Sequence, residues 1–318
     1  MTREQEEFRN YVFNGDDVVN FPLFQREFLK PEQQNYFVEI PIEGTLDDVI
    51  MSSANRYKAE KFINEQQHLQ MLVRAGLPPK NTLLFFGDSG CGKTYLMSIM
   101  AKHLGIPMLI INIGKVLTDA HASDILDDIF ETIKPYRVIL FMDECDSIAV
   151  SRESDSANAF AAPISANERR LLTHTFQLID ATPYNNIICA ATNTRYQLDA
   201  AFKRRFGTNQ FMFQRPKFKC PEEFMEEINS FIDSKKFILV DDSRSTPTMY
   251  SDLKNITKSI NLSHDTIKKV VKESIKASLV EFGTTEIKLS FIFKQFAINC
   301  GIPSTMTNDI LDGVKADE

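Results

Sequence analysis

The sequence predicts an α/β chain: a three-layer sandwich on a parallel sheet built around a glycine-rich loop, followed by a small all-helical lid domain. Three observations predict this. Short runs that are apolar throughout ("TLLFFG", "PMLIINI", "YRVILFMDE", "NIICAATN") alternate with longer segments of helical periodicity ("KTYLMSIMAKHLG", "ASDILDDIFETIK", "ANERRLLTHTFQLID"). Strands that are apolar at every position are buried on both faces, as in a parallel sheet flanked by helices. The first of these strands passes through a glycine-rich turn straight into a helix. From Pro221 onward strand signals fade and helical patterns such as "DTIKKVVKESIKASLVEFG" and "LSFIFKQFAIN" take over.

Taken in order, residues 1–44 are acidic, aromatic and punctuated by Pro22, Pro31 and Pro41, which reads as an irregular leader or a small partner-binding extension. Helical periodicity begins near Leu46 and stops at Gly76 and the Leu-Pro-Pro that follows, a glycine-then-proline helix end. The α/β domain is expected to span 45–216. Its boundary lies in "QRPKFKCPEEF", the helical lid covers 217–300, and 301–318 form a tail.

Bulk composition narrows the function classes. The chain has 318 residues, 43% of them hydrophobic, with 36 basic against 43 acidic residues and a net charge of −7. Nucleic-acid binders carry a basic surplus, so the balance argues against that class. No apolar run reaches the length of a membrane span, and the acidic start MTREQEEFRN is unlike a secretory signal, so a soluble, cytoplasmic protein is expected. Five cysteines, Cys91, Cys145, Cys189, Cys220 and Cys300, are scattered without C-x-x-C spacing, which suits reduced thiols and not a zinc site or disulfide framework.

The chemistry is concentrated in the strand ends. Gly87-Asp88-Ser89-Gly90-Cys91-Gly92-Lys93-Thr94 has the pattern G-x-x-x-x-G-K-T between a strand and a helix. Its glycines let backbone N–H groups curl around a phosphate chain, Lys93 adds a cation at the outer phosphates, and the Thr94 hydroxyl can ligate Mg²⁺. The helix turns its positive end to the same place. This is a nucleotide triphosphate site, the P-loop of the sandwich.

Downstream, the strand "VILFM" ends in Asp143-Glu144. A carboxylate at a strand's C-terminal end lies beside the loop, where Asp143 can hold the Mg²⁺ shell and Glu144 can orient and deprotonate a water. Asn193, at the end of "NIICAAT", is placed to align that water and sense the γ-phosphate. The stretch "DAAFKRRFG" sets Arg204 and Arg205 side by side between apolar residues. Taken alone, the pair can face solvent, nucleic-acid phosphates or the nucleotide of a neighbouring copy. Its place after Asn193 predicts the same rim as Lys93 and Glu144.

These residues together resemble the AAA ATPases, from about Leu46 to Leu279. Gly87–Thr94 looks like Walker A, with Asp88-Ser89 and Cys91 where the family more often has two prolines and a threonine. Asp143-Glu144 with "CDSIAVSR" looks like Walker B and its D-E-x-D-S-x-x-x-x-R continuation, and Asn193 like sensor 1. "LDAAFKRRFG" is similar to the second region of homology in the compact L-D-x-A-x-x-R-R-F form of severing and disassembly members. There the paired arginines act as fingers on the neighbour's ATP. "LSHDTIKKVVKESIKASL" aligns with the lid-helix opening Y-S-G-A-D-I, with His264 in place of its glycine, and no sensor 2 arginine stands out.

The resemblance implies ATP and Mg²⁺, a homo-oligomeric ring, usually a hexamer, and hydrolysis spent on remodelling another protein. Two alternatives stay open: a nucleic-acid motor or loader, and a regulatory ATPase or scaffold subunit docking a partner enzyme such as a protease. An adaptor or partner enzyme would bind through residues 1–44. Lys115, Val116 and Leu117 are the expected pore-side residues, though the aromatic of threading members is missing there. The segment "RESDSANAFAAPISANE" is the expected second pore-side loop. A thiol in the loop, Cys91, raises the question of redox control.

Overall fold

The computed structural model describes residues 21–38, 44–145, 166–193, 200–216, 221–232, 236–240, 262–289, 291, 292, 295 and 296. The chain divides between Phe213 and Gln214 into two compact units, with Ser89–Gly92 grouped with the second.

The first unit is built on a six-stranded sheet, in the order β1-β3-β4-β5-β2-β6. Its strands are β1 (Phe37–Val38), β2 (Thr82–Gly87), β3 (Met108–Asn112), β4 (Val138–Asp143), β5 (Asn186–Thr192) and β6 (Gln210–Phe213). Every pairing is parallel except that of β1, which runs antiparallel to β3. The central strands are buried along nearly their whole length, as their unbroken apolar runs require. The helices are α1 (Pro31–Gln34), α2 (Ser53–Gln67), α3 (Leu69–Arg74), α4 (Lys93–Leu104), α5 (Ile113–Leu117), α6 (Ala122–Ile133), α7 (Ala166–Ala181) and α8 (Ala200–Arg205).

Helix periodicity sets what each helix buries. On α6, Leu126, Ile129, Phe130 and Ile133 recur at three- and four-residue steps and all face the core. Phe85, fully buried on β2, touches the rings of Phe141, Phe211 and Phe213, with centroids at 6.4, 4.8 and 5.2 Å. Truncating such a side chain costs about 3–5 kcal/mol. The backbone carbonyls of edge strand β6 do not face water alone. Asn55 Nδ2 donates to Met212 O (2.9 Å) and Lys58 Nζ to Gln210 O (2.6 Å), both from α2. At the N-terminal end of the sheet, the buried Asn186 amide donates to the carbonyls of Ile133 (2.9 Å) and Tyr136 (2.8 Å), fixing the α6–β4 turn against β5.

The N-terminal stretch is more ordered than its prolines suggest. Phe24, Leu29 and Phe37 are buried in the main core, Phe24 and Phe28 pack on Tyr136, and Lys30 pairs with Asp128 at 2.6 Å. Each aromatic removed from water contributes roughly 1.5–3 kcal/mol, enough to hold a segment with little regular structure.

The second unit contains α9 (Pro221–Ser230), α10 (His264–Ala277) and a pair of parallel strands, β7 (Ile238–Val240) and β8 (Glu286–Lys288). The all-helical expectation is therefore corrected: "ILV" pairs with "EIK", and Ile287 is buried among Phe224, Ile228, Ile267, Val271 and Phe296. Ser263 caps α10 by accepting from the Thr266 N–H at 3.2 Å. His264 Nδ1 lies 2.6 Å from Oε1 of the buried Glu227 on α9. Among the described residues no helix is long and apolar enough to cross a membrane.

Candidate functional site

The parallel sheet assembles the site by bringing strand ends together. Across β3, β4, β5 and β2 these ends carry Asn112, Asp143-Glu144, Asn193 and Gly87. Gly87 begins the loop at φ +140°, and a Cβ there would collide with the carbonyl oxygen of Phe213, its partner on β6. Only glycine lets the backbone turn out of the sheet so close to a neighbouring strand. Gly92, at φ +90°, makes the second turn, into α4.

Lys93 is nearly buried, at 8% exposure. Its ammonium donates to the carbonyls of Gly87 (2.7 Å) and Asp88 (3.0 Å) and to Oδ1 of Asn193 (2.8 Å). The cation thus ties both shoulders of the loop to the β5 tip, joining two residues a hundred positions apart in sequence. Thr94 is the second residue of α4, at the positive end of the helix.

Asp143 ends β4, and its Oδ1 accepts the Glu144 N–H at 2.9 Å. Glu144 has φ +56°, the one positive φ among the described non-glycine residues. That conformation costs of order 1–3 kcal/mol and is kept by surrounding contacts. Here they are the Asp143 bond and the next peptide: the Cys145 N–H donates to Ala191 O on β5 (2.9 Å). The exposed Glu144 carboxylate accepts from Asn112 Nδ2 at 2.6 Å. Asn112, opposite Asp143 in the β3–β4 register, also caps α5, its Oδ1 accepting the Lys115 N–H at 3.0 Å.

Asn112 is the residue that sequence reasoning missed. It stands at a strand tip just as Asn193 does, which is the signal that could have found it. The pore-side expectation changes as well. The segment after β3 is the short helix α5, whose Val116 is fully buried in the core while Lys115 is exposed. Val116 fills the space above the sheet, and the side chain of Leu117, the expected apolar grip, lies outside the described ones. Most of the second expected pore-side loop, residues 152–165, lies outside the described residues.

The arginine pair is the larger correction. The Thr82 hydroxyl donates to the Arg205 carbonyl at 3.0 Å, and Thr82 is the first residue of β2, whereas Gly87 is the last. The pair therefore sits at the far end of that strand from the loop, roughly 16 Å away at ~3.3 Å per residue. It does not share a rim with Lys93 and Glu144. The chain reverses through α8 before β6, carrying the arginines to the opposite end of the sheet.

The two arginines also differ from one another. Arg205 Nε donates to Asp180 Oδ2 at 3.1 Å, and its guanidinium lies 4.2 Å from the centroid of the Phe176 ring, both on α7. Arg204 is exposed.

Mg²⁺ takes hard oxygen donors, keeps several waters and shares substrate phosphates, so it needs few protein ligands. The Thr94 hydroxyl and the Asp143 carboxylate are donors of that kind. The thiols among the described residues are buried: Cys91 in the loop, Cys145 after β4, and Cys189 on β5. Burial pushes the Cys189 thiol well above its ordinary value, with Cys145 and Asp143 adding to the effect. Inaccessible thiols are poor redox sensors.

Residues 83–214 match the profile of the AAA family, "ATPase family associated with various cellular activities". The match takes in the loop, both strand-end acids, Asn193 and the arginine pair. Residues 83–214 therefore form a domain of the AAA family. An uncharacterized AAA family ATPase of Sinorhizobium fredii is similar to it, with 27% identity over 255 residues, 79% of this chain and 70% of that protein. The human ATPase family gene 2 protein homolog A is 30% identical over 143 residues, 43% of this chain. The Saccharomyces cerevisiae ATPase family gene 2 protein is 31% identical over 136 residues, 41% of this chain. The aligned regions cover only 15% of the human and 16% of the yeast protein, so those likenesses concern the AAA domain alone.

Proposed function

We propose that this chain hydrolyses ATP, working as a ring of six identical subunits, and spends the cycle on remodelling a protein. The observation that carries the reading is the convergence of Lys93, Asn193, Asp143 and Glu144 on adjacent strand ends. Backbone N–H groups of Gly87–Thr94 and the Lys93 ammonium hold the β- and γ-phosphates. Thr94 and Asp143 would hold Mg²⁺, which would supply charge neutralisation at the phosphate oxygens.

Asn193 aligns the attacking water, and Glu144 takes its proton as the oxygen closes on the γ-phosphorus. The bond from that phosphorus to the β,γ-bridging oxygen breaks, and ADP and inorganic phosphate leave. Glu144 has to turn from Asn112 toward the water for this step. Arg204, exposed and too far along β2 to serve its own loop, acts on the ATP of the next subunit, while Arg205 holds α8 to α7.

Glu144→Gln keeps the shape and loses the base. It is expected to bind ATP with near-normal affinity and to hydrolyse it at least about 100-fold more slowly. Steady-state phosphate release and fluorescent-nucleotide titration measure the two, and a normal turnover rate would refute the assignment. Affinity capture with the same variant, with and without residues 1–20, tests the remodelling reading by identifying a retained protein substrate.

A further inference from the structure

We propose that Tyr36 and Asp119 are positioning residues for Glu144, acting through Asn112; the inference rests on Glu144 being the base. Tyr36 immediately precedes β1, which pairs with β3 in the register Phe37↔Ile111 and Val38↔Ile110. Its backbone carbonyl accepts the Asn112 N–H in a long bond of 3.4 Å. Its hydroxyl donates to Asp119 Oδ2 at 2.9 Å. One residue therefore holds both ends of the segment that contains α5: Asn112 at the entry and Asp119 at the exit.

The exit is itself braced. The Asp119 N–H donates to Val116 O at 3.0 Å, and Asp119 Oδ1 accepts the His121 N–H at 2.9 Å, just before α6. At the entry, Asn112 Oδ1 is committed to the Lys115 N–H, which fixes the amide plane and aims Nδ2 at Glu144. The Tyr36 hydroxyl thus sets α5, α5 sets the Asn112 amide, and the amide sets the carboxylate.

The direction follows from the sheet order. Asn112 lies on β3, on one side of β4, whereas Asn193 and the phosphate loop lie beyond β5 and β2 on the other side. The bond to Asn112 draws Glu144 away from the nucleotide.

The experiment is a double-mutant cycle on the full chain, read by steady-state ATPase kinetics with melting temperatures alongside. Tyr36→Phe removes the hydroxyl and keeps the ring and backbone. It is expected to raise kcat about threefold, the effect of part of one hydrogen bond, with KM for ATP within about twofold. In an Asn112→Ala background the same substitution should leave kcat unchanged, because the amide that transmits it is gone. Asp119→Asn should repeat the pattern and serves if Tyr36→Phe is poorly folded. An unchanged or lower kcat in both single variants, or an equal rise with and without Asn112, overturns the positioning role. Glu144→Gln separates the two levels. Normal turnover there overturns the base assignment and this inference with it, whereas an inactive Glu144→Gln with additive Tyr36 and Asn112 effects overturns the positioning alone.

Discussion

Replacing each arginine of the pair with alanine should separate two properties that a matched pair of fingers would lose together. Arg205 keeps only 17% of its side chain exposed, against a half-exposed Asp180. An ion pair of that kind contributes about 0.5 kcal/mol after solvent screening. The stacking of its guanidinium on Phe176 at 4.2 Å adds about 1 kcal/mol. Arg205→Ala should therefore destabilise the first unit by about 1–2 kcal/mol. At ~2–4 °C per kcal/mol for a unit of this size, the midpoint falls by about 2–8 °C.

Arg204 is exposed, so Arg204→Ala should stay within about 0.5 kcal/mol of the parent while losing ATPase activity. Mixing Arg204→Ala with Lys93→Ala should recover part of that activity, since some interfaces then combine an intact loop with an intact arginine. Thermal melts of the separate variants and a titration of mixing ratios provide the assay. Equal melting temperatures for the two arginine variants would refute the packing argument, and no recovery at any ratio would refute action between subunits.

Other outcomes follow from single contacts. Gly87→Ala sets a methyl group against the Phe213 carbonyl and should cost about 2–4 kcal/mol, seen as a lowered urea midpoint together with weaker nucleotide binding. Wild-type ATPase activity should resist mild peroxide, and Cys91→Ala should make no difference, because Cys91 is buried; rapid inactivation of the wild type alone would reverse that conclusion. The Asp119 carboxyl is held below its ordinary value, first by the His121 N–H and then by the Tyr36 hydroxyl. A depressed folded value means that its stabilisation is complete above pH ~4 and is lost as pH falls through that folded value. Asp119→Asn should therefore show a shallower acid dependence of stability below about pH 4, measured by urea midpoints across pH.

The loop was legible because glycine spacing, lysine and threonine are a local code: backbone geometry and phosphate chemistry fix residues within one turn of each other. Asp143 and Asn193 were legible because apolar strands announce their own ends. Asn112 was not, since its meaning depends on lying opposite Asp143 in the register, and a register joins segments that are distant in sequence. Asp180 and Phe176 escaped notice for a similar reason, being defined by the packing of α7 against α8. Val116 was misread because a five-residue helix is too short to show a period that marks its buried side. The paired strands of the second unit are three residues each, too short to stand out from the helical patterns around them.

The separation of the arginine pair from the loop along β2 has a consequence for symmetry. On the proposed action between subunits, a copy that gives at one end of a strand and receives at the other would join its neighbours head to tail, through two different surfaces. A two-fold dimer buries the same surface twice, and so would leave one of the two functions unengaged. Copies joined head to tail either close into a ring or climb as a helix, and the rotation per step decides which. In either form the contact would have a direction, so hydrolysis at one interface would be felt differently by the subunits before and after it.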